Sequence, residues 1–341
     1  MVAGKPRRAL PLAPSIDARI SAKTERVHVL TGAVCNNNCI FCMEEDREGR
    51  KVLNSKTDDA LVAKILADSA PCEELCFTSG EPTLNERLPR WARRARDAGV
   101  RRVSVMTNAR ALSYRRYARG LAKAGINRFY ISIHGHTAKL HESLVRTPGA
   151  FDQTVAGIRN VAALIPYGIE LHTSTVLTRR NLPHLRDIYR FLRRLGVQQV
   201  VFNVMQANGR ANTHFERIFP PYSLIASEAR RFIEGEPAPV MAFFVDIPLC
   251  TTTELPDFNR GFVEAYKHYE PDDGGDGGHD RRLPVMDRSE GGLVEVRRSD
   301  LDEAMRLKRA ECGRCRYDSV CEGVWSNYLR RYGWGEMVPV P

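Results

Sequence analysis

The sequence predicts an α/β fold: a parallel sheet with helices outside it, followed by a small cysteine-rich unit. Three observations predict it. From Arg26 onward, six short runs rich in Val, Ile, Phe or Tyr alternate with longer amphipathic stretches, one pair in roughly 25–40 residues. Near residue 215 the alternation stops, and Pro220-Pro221, Pro237 and Pro239 mark a boundary. Cysteines are bunched at two places, Cys35/Cys39/Cys42 and Cys312/Cys315/Cys321. Six βα units imply parallel strands, and they fall short of the eight that close a TIM barrel, so the expected form is a partial (β/α)6 TIM-like barrel.

The expected strands are 27–31, 74–78, 102–106, 128–133, 170–177 and 197–204, each short enough to be buried on both faces. Between them, Thr57 is placed to N-cap a helix, with Asp58 and Asp59 at its positive end and Leu61, Val62, Ile65 and Leu66 as its apolar face. Further helices are expected over 85–98, 113–124, 151–165 and 182–195. Gly99 and Gly196 stand where two of them end. Beyond the barrel, 240–247 reads as a strand leading into Pro248-Leu249-Cys250. The Gly- and Asp-dense stretch 270–292 reads as a surface loop, and 300–310 as a short helix. The expected division is a basic N-terminal arm (1–25), the barrel (26–215) and the cysteine-rich unit (216–341).

Hydrophobic residues make up 43% of the 341, enough for a sizeable core. No apolar run is long enough to span a bilayer, and Pro6, Pro11 and Pro14 interrupt the N-terminus where a secretory signal would need its apolar core. The cytoplasm is the expected location. The net charge of +10 reads first as solvated helix faces, with Arg93, Arg94, Arg96, Arg101 and Arg102 on or beside one surface helix. No aromatics interleave with them, which disfavours nucleic acid. Nine cysteines without an export signal are not a disulfide framework, and their bunching points to metal.

Cys35-Asn-Asn-Asn-Cys39-Ile-Phe-Cys42 directly follows the first strand. Three thiolates on one tight loop grip three corners of a cubane and leave one iron open, whereas a zinc knuckle would need a distant fourth ligand. Asn36–Asn38 suits a sharp turn.

This loop resembles the C-x3-C-x-aromatic-C signature of the radical S-adenosylmethionine (SAM) superfamily. Phe41 occupies the aromatic position, which the resemblance places near the adenine of SAM. Thr78-Ser79-Gly80-Glu81-Pro82 is similar to the Gly-Glu-Pro segment that holds the methionine amino group, with Ser79 where a second glycine is common. A carboxylate at Glu81 suits an ammonium, and Gly80 allows close backbone approach. Met106-Thr107-Asn108 resembles the family's Thr-Asn-Gly turn, with Ala109 in place of glycine. Ser132-Ile-His134-Gly135 resembles its fourth strand-end turn, and Gly209-Arg210-Ala211 a later segment. Thr107, Asn108, Ser132 and His134 are thereby candidates to contact SAM or substrate. The resemblance covers about residues 26–215. It implies a [4Fe–4S] cluster on Cys35, Cys39 and Cys42, SAM as cosubstrate, an electron donor such as flavodoxin or ferredoxin, and a 5′-deoxyadenosyl radical that removes hydrogen from substrate.

Cys312-x2-Cys315-x5-Cys321 resembles the end of the auxiliary-cluster extensions called SPASM and twitch domains. Trp325 stands where a full SPASM domain has another cysteine, so one auxiliary cluster is expected rather than two. Cys250 completes a set of four with Cys312, Cys315 and Cys321, suited to a second [4Fe–4S] cluster or to structural zinc. The aromatic tail from Gly323 through Tyr328, Tyr332 and Glu336 is expected to pack on the barrel. Cys72, Cys76, His136 and His141 read as residues without chemistry of their own. No nucleophile elbow, Walker loop or H-E-x-x-H motif occurs. The expected substrate is a peptide undergoing maturation, or a small molecule in natural-product or cofactor tailoring. The alternatives are nucleotide or RNA modification, and a non-catalytic metal-binding interaction protein.

Overall fold

The computed structural model describes residues 24–32, 34–43, 58–68, 73–205, 209–236, 242–255, 258, 264–267, 282–286, 293–297, 306–319 and 321–341. Its centre is a sheet of parallel strands flanked by helices. In chain order the barrel elements are β1 (Thr24–Leu30), α1 (Asp59–Asp68), β2 (Glu74–Thr78), α2 (Leu88–Asp97), β3 (Arg102–Thr107), α3 (Arg115–Ala124), β4 (Arg128–Ser132), α4 (Ala138–Val145), α5 (Ala150–Ala162), β5 (Glu170–Leu177), α6 (Leu185–Arg194) and β6 (Gln199–Val204). There follow α7 (Gly209–Thr213), α8 (Phe215–Ile218), α9 (Tyr222–Gly235), β7 (Ala242–Val245) and β8 (Glu264–Lys267).

The strands stand in the order β7-β6-β5-β4-β3-β2-β1-β8, all parallel, with β7 and β8 unjoined at the two edges. The partial barrel is therefore present, with all six expected strands at its centre. The sheet continues past residue 215. β7 falls inside the expected 240–247 strand, whereas β8 has the sequence Glu-Ala-Tyr-Lys and no apolar run to announce it. Its place is set by the exposed backbone edge of β1, which accepts a strand whatever its side chains.

The helices bury one face each. Leu88, Trp91, Ala92 and Ala95 of α2, and Leu185, Ile188, Tyr189 and Leu192 of α6, repeat at the helical period against the sheet. Thr57 lies outside the described residues. The first turn of α1 is held instead by Asp58, whose Oδ1 accepts the Leu61 N–H at 2.8 Å. The unexpected helix α4 starts at Thr137, whose side chain accepts the Leu140 N–H. At eight residues it is too short for its period to stand out.

Two expectations downstream are corrected. Within 270–292, residues Arg282–Met286 form β9, which pairs antiparallel with β10 (Leu293–Arg297). Two apolar runs flank the polar, glycine-ended stretch 287–292, and loop-like composition across the window hid them. At the end of the expected 300–310 helix, β11 (Arg306–Leu307) instead pairs antiparallel with β12 (Val324–Trp325), and the Arg306 guanidinium lies 4.1 Å over the Trp325 ring. That tertiary pairing overrides helical propensity. A last helix, α10 (Ser326–Tyr332), brings the fully buried Tyr328 against Phe219 and Tyr222, with ring centroids 5.4 and 4.3 Å away.

Beneath the strand ends lies a buried polar floor. Glu74, fully buried, pairs with Arg26 at 2.9 Å and Arg128 at 2.6 Å and accepts the Ser104 hydroxyl at 2.7 Å. Arg26 donates to the Tyr130 hydroxyl at 2.6 Å. Opposite charges meeting this closely offset much of their desolvation and keep water from being the cheapest partner. Cys76, also buried, belongs to this layer, and burial pushes its thiol up to about 11. Cys72 lies outside the described residues.

Candidate active site

The C-terminal ends of the strands carry the residues singled out by sequence. Cys35, Cys39 and Cys42 follow β1 on one loop, all half-buried. The loop is held from three directions. The C-terminal end of α4 accepts two of its amides, Asn38 N–H to Val145 and Ile40 N–H to Leu144, each at 3.0 Å. Arg210 donates its guanidinium to the carbonyls of Asn38 (3.1 Å) and Cys39 (3.0 Å), and its backbone N–H to that of Cys42 (2.9 Å). Arg110 donates to the Asn36 carbonyl and to Asn37 Oδ1. Carbonyls that face two cations cannot rotate freely, so the three thiols are presented together. Burial, with Cys35 and Cys42 close by, pushes the Cys39 thiol well above the usual range, while Arg210 acts the other way. Arg110 was not anticipated: it follows the Thr-Asn turn by one residue, and only the fold carries it to the cysteine loop.

Ser79, Gly80, Glu81 and Pro82 follow β2. Glu81 is 3% exposed and its carboxylate is densely bonded. Oε1 accepts the Thr83 N–H at 3.1 Å and the hydroxyls of Thr83 and Thr107, and Oε2 accepts the Asn108 N–H at 2.7 Å. Burial raises its pKa, opposed by these four donors. Glu81 thus joins the β2 and β3 strand ends into one unit, a role the motif alone did not disclose. The Asn108 side chain reaches back to Asn36 Oδ1 at 2.6 Å, tying this unit to the cysteine loop. The two places where serine and alanine replace a family glycine both adopt left-handed backbone: φ is 72° at Ser79 and 59° at Ala109, beside 56° at Gly80. The turns keep their shape without glycine, at a cost of about 1–2 kcal/mol per residue.

Ser132 ends β4 half-buried, in register with Ser174, whose hydroxyl accepts from Asn203 Nδ2 at 2.6 Å. Neither Ser174 nor Asn203 was singled out. His134 is 3% exposed, and its ring meets Phe41 edge-on at 4.6 Å. Its Nδ1 accepts the Val176 N–H and its carbonyl accepts from Asn181, which places the ring proton on Nε2. His141, fully buried, accepts the His134 N–H on Nδ1, and burial lowers its pKa to about 4. It is therefore the neutral support of the His134 turn.

The second cysteine set also converges. Cys250, Cys312, Cys315 and Cys321 line one cavity with Tyr317 and Trp334. Burial pushes Cys250 up to about 11, reinforced by Cys321, Cys315 and Cys312, and burial also raises Cys321, reinforced by Cys312 and Cys315. Backbone N–H groups of Val340 and Gly323 point at Cys315 and Cys321 Sγ, at 3.3 and 3.4 Å. Trp325 is a buried core residue beneath Arg306.

Both sets fit an iron–sulfur group by donor chemistry. Three thiols on one loop leave one iron of a cubane open, and four thiols around one cavity suit a fully ligated cubane or a structural zinc.

A parallel half-barrel with three thiols on its first strand-end loop, backed by a buried Gly-Glu-Pro turn, defines a class of iron–sulfur enzyme. Residues 29–202, 174 of the 341, match the model of the Radical SAM superfamily, and the chain belongs to that superfamily. Members use a [4Fe–4S] cluster and SAM. A probable GTP 3′,8-cyclase from Sulfurisphaera tokodaii is 30% identical over 200 residues, 58% of this chain and 61% of that protein. An AdoMet-dependent heme synthase from Oleidesulfovibrio alaskensis is 31% identical over 185 residues, 52% of this chain and 44% of that protein. The chain thus spans less than two thirds of the length of these curated relatives. Among solved structures, Streptococcus suis SuiB bound to precursor peptide SuiA superposes with TM-score 0.61 at 13% identity, over 91% of this chain and 73% of that one. The enzyme anSMEcpe with bound AdoMet gives 0.55 at 14%, over 89% and 90%. These likenesses show the fold. No described helix is long and apolar enough to cross a membrane.

Proposed function

We propose that this chain cleaves SAM reductively at a cluster held by Cys35, Cys39 and Cys42 and abstracts hydrogen from a peptide, as one step of peptide maturation. The observation that carries this reading is the convergence of Cys250, separated in sequence, with Cys312, Cys315 and Cys321 in one cavity. Four thiols suit an auxiliary cluster, and the SuiB structure bound to a precursor peptide and the anSMEcpe structure share the fold over 91% and 89% of this chain.

When bound and reduced, the first cluster supplies the electron that breaks a carbon–sulfur bond of SAM and yields a 5′-deoxyadenosyl radical. The chain's own residues position and shield. Phe41, fixed by His134, offers an apolar face for the adenine. Glu81 Oε2 retains acceptor capacity beyond its bond to Asn108 and, with the Ser79 and Gly80 carbonyls, suits the methionine ammonium. Thr107, Asn108 and Ser132 line the turns beside them, and Pro82 starts the short helical turn that Glu81 caps. On this reading residues 26–215 handle SAM, residues 216–341 hold the second cluster, residues 1–25 are a basic arm, and a flavodoxin- or ferredoxin-type protein delivers the electron.

A second reading, modification of a nucleotide, is favoured by the 30% identity to a probable GTP 3′,8-cyclase. Anaerobic reconstitution followed by iron counting and a 5′-deoxyadenosine assay tests the proposal. About eight irons per chain, with deoxyadenosine abolished in Cys39→Ala while about four irons remain, is the expected result. Deoxyadenosine formation stimulated by GTP and not by a peptide library would move the nucleotide reading to first place. Folded protein that takes up no iron would overturn both.

A further inference from the structure

Away from the cysteines, the turns after β4 and β5 bring three metal-ligating side chains together. His136 stands in the β4–α4 turn, one residue before the Thr137 cap of α4. His184 immediately precedes α6, and Asp187 lies in its first turn, so the two share one helix face at i and i+3. One donor atom from each of the three lies within 4.8 Å of the others. His184 Nδ1 and Asp187 Oδ2 are 3.6 Å apart, and the His136 and His184 rings are 5.4 Å apart between centroids. Ligands of one tetrahedral ion with bonds near 2.0–2.1 Å stand about 3.3 Å from each other, so small side-chain rotations close this trio on an ion. His136 Nδ1 is buried with no hydrogen-bond partner among the described residues. Such an atom is costly to leave unsatisfied, and a neighbouring ion would draw the ring's lone pair into use.

The structure assigns to His136, His184 and Asp187 a divalent transition-metal site, zinc by its donor set, that is separate from both cysteine sets. Two imidazoles and one carboxylate suit zinc and its neighbours, whereas calcium and magnesium ask for oxygen ligands throughout. Three protein ligands leave a fourth position to water. The ion would tie the β4–α4 turn to the start of α6. His134, two residues before His136 in the same turn, packs against Phe41. The site rests on these three side chains alone and stands whether or not the substrate is a peptide.

The test uses full-length protein with its iron–sulfur clusters already assembled, so that the thiols are occupied. Zinc is added, loosely bound metal is removed by desalting, and zinc per chain is counted for wild type, His184→Ala, Asp187→Asn and His136→Ala. Losing an outer partner of a metal ligand costs about 10–100-fold in affinity, so losing a ligand should weaken zinc by at least about tenfold. Iron content reports that each variant is folded and loaded. The expected result is one zinc per chain in wild type, lost in all three variants at unchanged iron, with a zinc-edge absorption spectrum of nitrogen and oxygen ligands only. Zinc content equal in wild type and variants, sulfur in the zinc shell, or no zinc retained by the wild type would each overturn the assignment.

Discussion

Among single residues, Arg210 and His141 show how a site is built from side chains that need not touch a substrate. Arg210 holds Asn38, Cys39 and Cys42 by their backbones. Charge-assisted hydrogen bonds contribute about 1.5–3 kcal/mol when buried and less for a half-buried group. Arg210→Gln is expected to leave the fold intact but loosen the cysteine loop, seen as slower cluster uptake and faster iron loss to a chelator, with Arg210→Lys intermediate. His141 takes up its proton at lower pH than a surface histidine. Its folded pKa, about 4, lies below the ordinary value of 6.5, so the native state resists a proton that the unfolded chain accepts. The stability this contributes is complete above pH 6.5 and is lost as pH falls toward 4. A shift of that size corresponds to an order of 3 kcal/mol. Urea midpoints measured across this interval should fall less steeply in His141→Gln, whose amide oxygen can still accept the His134 N–H.

For whole elements, the decisive contact is the approach of α5 to the turn after β3. A Cβ at Gly157 would meet the Ala109 carbonyl oxygen at 2.3 Å and the Ala109 side chain at 3.0 Å. Glycine lets the helix sit directly on the turn, and Thr154, one turn earlier, donates its hydroxyl to the Asn108 carbonyl at 2.9 Å. Gly157→Ala must push the helix or the turn aside. Overpacking of this kind costs about 1–3 kcal/mol. The expected outcome is a lower Tm together with weaker SAM binding, because the displaced turn carries Thr107 and Asn108. A lower Tm with unchanged SAM affinity would mean that the helix moves and the turn stays.

Across the whole molecule, the cysteine-rich unit is built into the barrel's core. Val324, Trp325, Tyr328 and Met337 belong to the same buried cluster as the sheet residues. The Tyr328 hydroxyl accepts the Tyr222 N–H at 3.0 Å, and Arg179 donates to Tyr332 at 2.8 Å. The two cysteine sets are therefore held by one framework. Cys250→Ala is expected to remove about four irons per chain on reconstitution while the first cluster still supports deoxyadenosine formation. Iron counting paired with that assay checks it. The surface arginines at α2 are compatible with solvated charge: Arg93, Arg94 and Arg96 are exposed, and Arg102 pairs with Glu73 at 2.9 Å.

The sequence by itself determined the six βα units, the cysteine loop and the glycine-bearing turns, because each is written in contiguous residues whose period or spacing serves one local purpose. Cys250 was legible as a partner of the distant triplet from its residue type and from the number of thiols a cluster needs. What only tertiary structure decided is which distant side chains meet. The strand β8 exists because β1 offers an open edge. Arg110, after β3, and Arg210, after β6, both reach the cysteine loop although β4 and β5 stand between their strands. Glu81 is bonded by Thr83, Thr107 and Asn108, donors from two different strand ends. His136 faces His184 and Asp187 across a gap of more than forty residues. Such contacts depend on the curvature and order of the sheet, a collective result of packing, and no local window of sequence carries them.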